Sequence, residues 1–105
     1  METIKISEEF TKEPYKKEDG IIFRDIILMP RLVRIHGTKN KISIDFNDCF
    51  GFTTVFIDEV FGGLIRNYGY DKKTIMSRIN IISDDDETIP SLIEKYLNKA
   101  EQDKR

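Results

Sequence analysis

Polar and apolar residues alternate from Thr3 to Ser7, placing Ile4 and Ile6 on one face, the two-residue period of a short strand. The charge-rich stretch from Glu8 to Asp19, with Pro14 and Tyr15, has no helical period and reads as a loop with an edge strand near Tyr15 to Lys17. From Gly20 the spacing changes to threes and fours, through Ile22, Phe23, Ile26, Ile27, Leu32 and Val33, with Asp19 placed as an N-cap. Pro30 removes an N–H donor and clashes with the carbonyl four residues back, so this first long helix is expected to kink or split near Leu28 and to end before Gly37. Alternation returns at Lys41 to Phe46, with Ile42, Ile44 and Phe46 on one face. Past a turn over Asn47 to Gly51, Thr53 or Thr54 caps a central helix running to about Tyr68, with Gly69 at its C′ position. Arg78 to Ser83 reads as a third strand. Ile89, Leu92, Ile93, Tyr96, Leu97 and Ala100, behind Thr88 and Pro90, mark a last helix that frays over Glu101 to Arg105.

The resulting order is β-α-β-α-β-α, and strands joined through helices imply parallel pairing with right-handed crossovers. We therefore expect one α/β domain over residues 1–105, its core within about 3–100, with a mixed or mostly parallel sheet of about four strands flanked by three helices. Five of the seven phenylalanines (Phe46, Phe50, Phe52, Phe56 and Phe61) fall in the second strand, its turn and the central helix, which places the heart of the core there.

Composition narrows the chemistry. The 105 residues hold a single cysteine, so no internal disulfide can form. With neither a secretory leader nor an apolar run long enough to span a bilayer, the expectation is a cytoplasmic protein away from the membrane. Seventeen basic against nineteen acidic residues leave a net charge of −2, which provides no global field for nucleic acid. The local run Arg31, Arg34, His36, Lys39 and Lys41 contains no acid, but it has no aromatic stacking platform beside it and reads as a solvated helix end.

One histidine, one cysteine and no serine in a nucleophile-elbow context give a nucleophilic triad very thin support, and without a second Cys or His neither residue makes a zinc site. His36 sits at a helix end, Cys49 reads as a small half-buried thiol, and Asp84 to Glu87 complement the positive end of the last helix dipole. No phosphate-cradling glycine loop is present, and the acidic run lacks the spacing of a cation loop. The expectation is thus no catalysis, no metal and no cofactor, and only a spatial pairing such as Asp45 with Arg24 would reopen the question.

The central helix is more informative. Val55, Phe56, Ile57, Val60, Phe61, Leu64, Ile65 and Tyr68 cover most of its circumference, leaving Asp58, Glu59, Gly62, Gly63, Arg66 and Asn67 on a polar stripe. Glycine inside a helix costs about 1 kcal/mol relative to alanine, so an adjacent pair there implies close approach of another backbone. That backbone belongs either to the same chain or to a partner.

The run from Gly20 through Phe23-Arg24 to Leu28-Met29-Pro30, the strand Ile42-Ser43-Ile44-Asp45-Phe46, and the block Phe56-Ile57-Asp58-Glu59-Val60-Phe61-Gly62-Gly63-Leu64 resemble the STAS-like domain family of unknown function, over about residues 4 to 100. These are relatives of the STAS domains of sulfate transporters and anti-sigma-factor antagonists. The resemblance implies a small sheet flanked by helices and a non-enzymatic regulatory module that docks on a protein partner such as a kinase-like ATPase. It further implies release by phosphorylation at the start of the central helix. Where relatives often carry serine, just before Phe56, this chain has Val55, with Thr53 and Thr54 alongside as phosphorylation sites or helix caps. The expected partner contacts are Asp58, Glu59, Gly62, Gly63 and Arg66. The alternative is a small-ligand or nucleotide site at the N-terminus of the same helix, near Phe52 to Thr54.

Overall fold

Each strand of the computed structural model, which describes residues 2–104, is four residues long: β1 is Glu2–Lys5, β2 is Ile42–Asp45 and β3 is Ile79–Ile82. They pair in parallel in the order β1-β2-β3, with Ile4 opposite Ile44, Ile42 opposite Ile79, and Ile44 opposite Ile81. Because the side-chain period is two, this register puts Ile4, Ile42, Ile44, Ile79 and Ile81 on one face and Thr3, Lys5, Ser43, Asp45, Asn80 and Ile82 on the other. Three strands, not four, form the sheet among the described residues. The segment expected to add an edge strand near Tyr15 to Lys17 is a loop running into a helix.

A short helical turn, α1 (Ile6–Glu9), follows β1 and tucks Ile6 into the core. The first long helix, α2, spans residues 17–35 as an α-helical Lys17–Ile22, a π-helical Phe23–Leu28 and an α-helical Met29–Ile35. It begins three residues before the expected start, so Asp19 lies inside it, and its Oδ2 accepts the Lys16 N–H at 3.1 Å. Pro30 breaks nothing. The turn ahead of it widens, and the Met29 N–H reaches back five residues to the Arg24 carbonyl, so the chain stays helical past the proline.

The central helix, α3, covers residues 54–68 and widens in the same way over Asp58–Gly62. Thr53 caps it, its Oγ1 accepting the Phe56 N–H at 3.2 Å, and Gly69 closes it in the left-handed conformation with φ 76°. An additional short helix, α4 (Lys72–Arg78), capped by Asp71, precedes β3. The last helix, α5, is Ile89–Asp103 and continues past the point where fraying was expected.

Two crossovers of the same hand, in a sheet of order 1-2-3, place both connecting helices on one face. Accordingly α2 packs against α3, and α5 lies on the other side of α3, forming one helical layer over the isoleucine face. The core between them holds Ile4, Ile44, Phe23, Phe46, Phe56 and Phe61. Two of the five clustered phenylalanines depart from expectation. Phe52 is half-buried against Phe46, with ring centroids 4.9 Å apart, and Phe50 is 74% exposed on the loop after β2. No helix among the described residues is long and apolar enough to cross a membrane.

Candidate functional site

All three strands point the same way, so the loops that follow them meet at the carboxyl end of the sheet, the usual location of ligand and partner sites in parallel α/β folds. Side chains tie these loops together. Lys5 Nζ lies 2.6 Å from Asp48 Oδ2, Asn47 Nδ2 donates to Asp84 Oδ2 at 3.2 Å, and the backbone N–H groups of Asp48 and Asp85 donate to Asp85 Oδ2 and Asn47 Oδ1 at 2.9 and 3.0 Å. Asp48 adopts the left-handed conformation with φ 67°, which an aspartate tolerates better than most residues. The hydrogen bond from Lys5 holds its carboxyl below the ordinary aspartate range.

The loop before α2 joins the same surface, as the Phe50 N–H donates to the Lys12 carbonyl at 2.8 Å and Thr53 Oγ1 to the Tyr15 carbonyl at 2.7 Å. Between them lies a cleft of about 450 Å³ lined by Ser7, Glu8, Lys12, Asp48, Cys49 and Phe50. Burial, followed by the nearby carboxylates of Asp45, Asp48 and Asp85, pushes the Cys49 thiol up to about 11. It stays protonated and weakly nucleophilic at neutral pH.

Thr53 and Thr54 differ in what they offer. The Thr53 hydroxyl accepts from Phe56 and donates to Tyr15, whereas Thr54 is exposed at the first helical position. In the same segment, Val55 is 48% and Phe50 74% exposed. Downstream, Asp86 Oδ1 accepts the Thr88 backbone N–H at 2.9 Å and its hydroxyl at 2.5 Å, so the acidic run fastens the β3–α5 loop.

The polar stripe of α3 is not an open face. Arg24, only 4% exposed, inserts from α2, its Nη1 donating to the Glu59 carbonyl at 2.7 Å and to Glu59 Oε1 at 3.1 Å, and its Nε to Asp25 Oδ1 at 2.8 Å. Tyr68 completes the cluster by donating its hydroxyl to Asp25 Oδ1 at 2.7 Å, with the guanidinium carbon 5.9 Å from its ring centroid. Those two hydrogen bonds, Arg24 first and Tyr68 second, lower the Asp25 carboxyl below its ordinary value.

Both glycines of the stripe are buried. A Cβ on Gly63 would sit 2.1 Å from Arg24 Nη1, so its missing side chain is the space Arg24 occupies. Gly62 lies beneath the Asp58–Arg66 ion pair, which closes at 3.0 Å. On the facing helix, a Cβ on Gly20 would come within 2.6 Å of Glu59 Cβ and 3.1 Å of the Phe56 carbonyl. Of the two alternatives left open for the glycine pair, the same chain or a partner, the structure shows the first. Their close neighbours belong to this chain. Of the expected partner contacts, Asp58 and Arg66 remain partly exposed, Glu59 and Gly63 are drawn into the α2–α3 seam, and Gly62 is buried under the Asp58–Arg66 pair of its own helix. Arg24 does not meet Asp45, whose Oδ1 accepts the Asn47 N–H at 2.9 Å.

Sequence reading missed the central place of Arg24 because an isolated arginine looks like a surface residue. The available signal was Gly20 four residues earlier, on the same helix face.

Among curated proteins and among solved structures, no match to this chain was found. The model of a family described as a STAS-like domain of unknown function matches residues 19–88, from the first turn of α2 to the start of α5 and about two thirds of the chain. The chain thus belongs to the family of STAS-like domains of unknown function.

Proposed function

We propose that this domain is a non-enzymatic docking module that receives a protein partner at the carboxyl end of its sheet, with Phe50 and Val55 as apolar anchors and Thr54 between them. The carrying observation is that the short segment from Phe50 to Val55 exposes two large apolar side chains together with Thr54, on a surface whose loops are otherwise pinned by hydrogen bonds. Apolar anchors on a preorganised frame lose little entropy on association.

A purely regulatory role, without chemistry of its own, is supported by the protonated Cys49 thiol and by the engagement of the Thr53 hydroxyl in capping. Phosphorylation of Thr54 would add nearly two negative charges beside Phe50 and Val55 and would weaken an apolar contact there. The partner class that the STAS resemblance implies is a kinase-like ATPase, in the intracellular setting expected from the sequence. Asp58 and Arg66, further along α3, extend the contact surface.

Affinity capture tests this with wild type, Phe50→Asp, Thr54→Glu and, on the exposed far end of α5, Lys99→Glu. One protein retained by wild type and Lys99→Glu but lost from the other two is expected. Equal retention by wild type and all three variants, or an empty wild-type lane, would sink the reading. In the latter case equilibrium dialysis against nucleotides would test the ligand alternative, for which the neighbouring cleft offers Lys12 beside the acids Glu8 and Asp48.

A further inference from the structure

A helix that is apolar all round is normally buried all round, because each exposed apolar stripe leaves hydrocarbon in water. Helix α2 carries charged residues on its flanks, yet it has a second apolar stripe besides the buried one. Its inner face buries Phe23, Leu28, Leu32 and Ile35, yet Ile22, Ile26 and Val33 are 46%, 68% and 63% exposed, with Pro30 exposed between the last two. At spacings of four, four and three, these residues form one stripe along three turns, about 16 Å at 1.5 Å per residue. The stripe lies at the rim of the helical layer, since α3 has α2 on one side and α5 on the other.

Two features identify what covers it. Read backwards, the stripe nearly superposes on itself about residue 28: Ile22 faces Val33 and Ile26 faces Pro30. The charges that continue the line of the stripe are also segregated, with the exposed Lys16 and Lys17 of the first turn set more than about 100° around the helix from Ile22. Glu18 and Asp19 stand at the amino end without a side-chain cation, whereas Arg34 stands at the carboxyl end, 65% exposed and 3.8 Å from its closest carboxylate, Glu2. Arg31 and Asp25 are already neutralised within the chain, by Glu2 and Glu9 and by Arg24. A surface with matching apolar positions in both directions and opposite charges at its two ends is complementary to itself under a two-fold axis.

We propose that the chain forms a homodimer in which the Ile22-Ile26-Pro30-Val33 stripe of α2 packs antiparallel on the same stripe of a second copy, with Arg34 of each set against Glu18 and Asp19 of the other. Antiparallel packing also opposes the two helix dipoles. This interface is separate from the carboxyl-end surface and does not depend on its function.

Sedimentation velocity of the full chain at roughly 100 µM, where a micromolar Kd leaves mostly dimer, is expected to give about twice the 12.3 kDa monomer mass. Ile26→Glu and, independently, Val33→Glu should sediment as monomers with unchanged circular dichroism, because both side chains stand in solvent in the monomer. Arg34→Glu should weaken association by about tenfold through like-charge contact, and Glu18→Arg combined with Arg34→Glu should restore it. Phe50→Asp should leave the dimer intact. A monomeric wild type at that concentration, or a dimer that survives both Ile26→Glu and Val33→Glu, would overturn the proposal.

Discussion

At the scale of single residues, three glycines that read alike in sequence carry different costs. Gly20 faces the Phe56 carbonyl and Glu59 Cβ, which cannot yield without moving α3, and Gly63 faces a guanidinium held by hydrogen bonds to Glu59 and Asp25. Gly62 faces only the outer tips of Asp58 and Arg66, which can swing aside. Overpacking a tight site costs typically about 1–3 kcal/mol, while alanine returns about 1 kcal/mol of helix propensity. Gly20→Ala and Gly63→Ala should therefore lower the urea midpoint, and Gly62→Ala should leave it unchanged or raise it slightly. Equal losses at all three positions would contradict the close contacts assigned to Arg24 and Glu59. Cys49 gives a second residue-level expectation. With its thiol raised to about 11, iodoacetamide should alkylate it in the native state far more slowly than in urea at about pH 8, where an unperturbed thiol is partly ionised. Why the sequence left the glycine pair's neighbour open follows from the same contacts. The sequence places Gly62 and Gly63 on a polar stripe and polar stripes usually face water, but here the polar groups pair with one another and with Arg24 inside a helix–helix seam.

At the scale of elements, the seam joins two helices that both widen where they meet, Phe23–Leu28 against Asp58–Gly62. Removing Arg24 would strand the Glu59 carbonyl and leave two carboxylates without their cation. Breaking a fully buried pair costs about 3–5 kcal/mol, but Glu59 and Asp25 retain some solvent here, so about 2–3 kcal/mol is expected for Arg24→Met. The acid limb of stability supplies a test with a defined sign. Asp25 has its folded-state carboxyl lowered by Arg24 and then Tyr68, so it contributes stability that is complete above its unfolded value and is lost as pH falls through the folded one. Asp25→Asn should therefore destabilise at pH 7 and lose less additional stability than wild type below about pH 4, where the other lowered carboxyls still titrate in both proteins. A parallel acid limb in the two proteins would place the coupling elsewhere. Long elements were legible from their periods, and Thr53 and Gly69 bounded α3 as read. Helix α4 was not seen because its single buried residue, Ile75, makes no period, although the Asp71 cap beside Thr74 was a local sign of it.

At the scale of the whole molecule, a Cα radius of gyration of 12.6 Å agrees with the roughly 13 Å of a folded chain of about 100 residues. The parallel order could be read from alternating strands and helices because handedness leaves few alternatives. Strand number could not, since an edge strand is decided by distant pairing and not by local period. The same topology predicts where stability resides. In this arrangement β2 is bonded on both edges and α3 is flanked by helices on both sides with the sheet beneath, while β1 and β3 each leave one edge open and α4 buries only Ile75. Native-state hydrogen exchange should accordingly find the slowest amides in β2 and in the Phe56 to Ile65 stretch of α3, opening only with global unfolding. Amides of α4 and of the loop before α2 should exchange faster by at least about tenfold through local opening. Protection in α4 equal to that of α3 would mean that the fold opens as one unit, and the central helix would then lose its place as the element on which the other two are built.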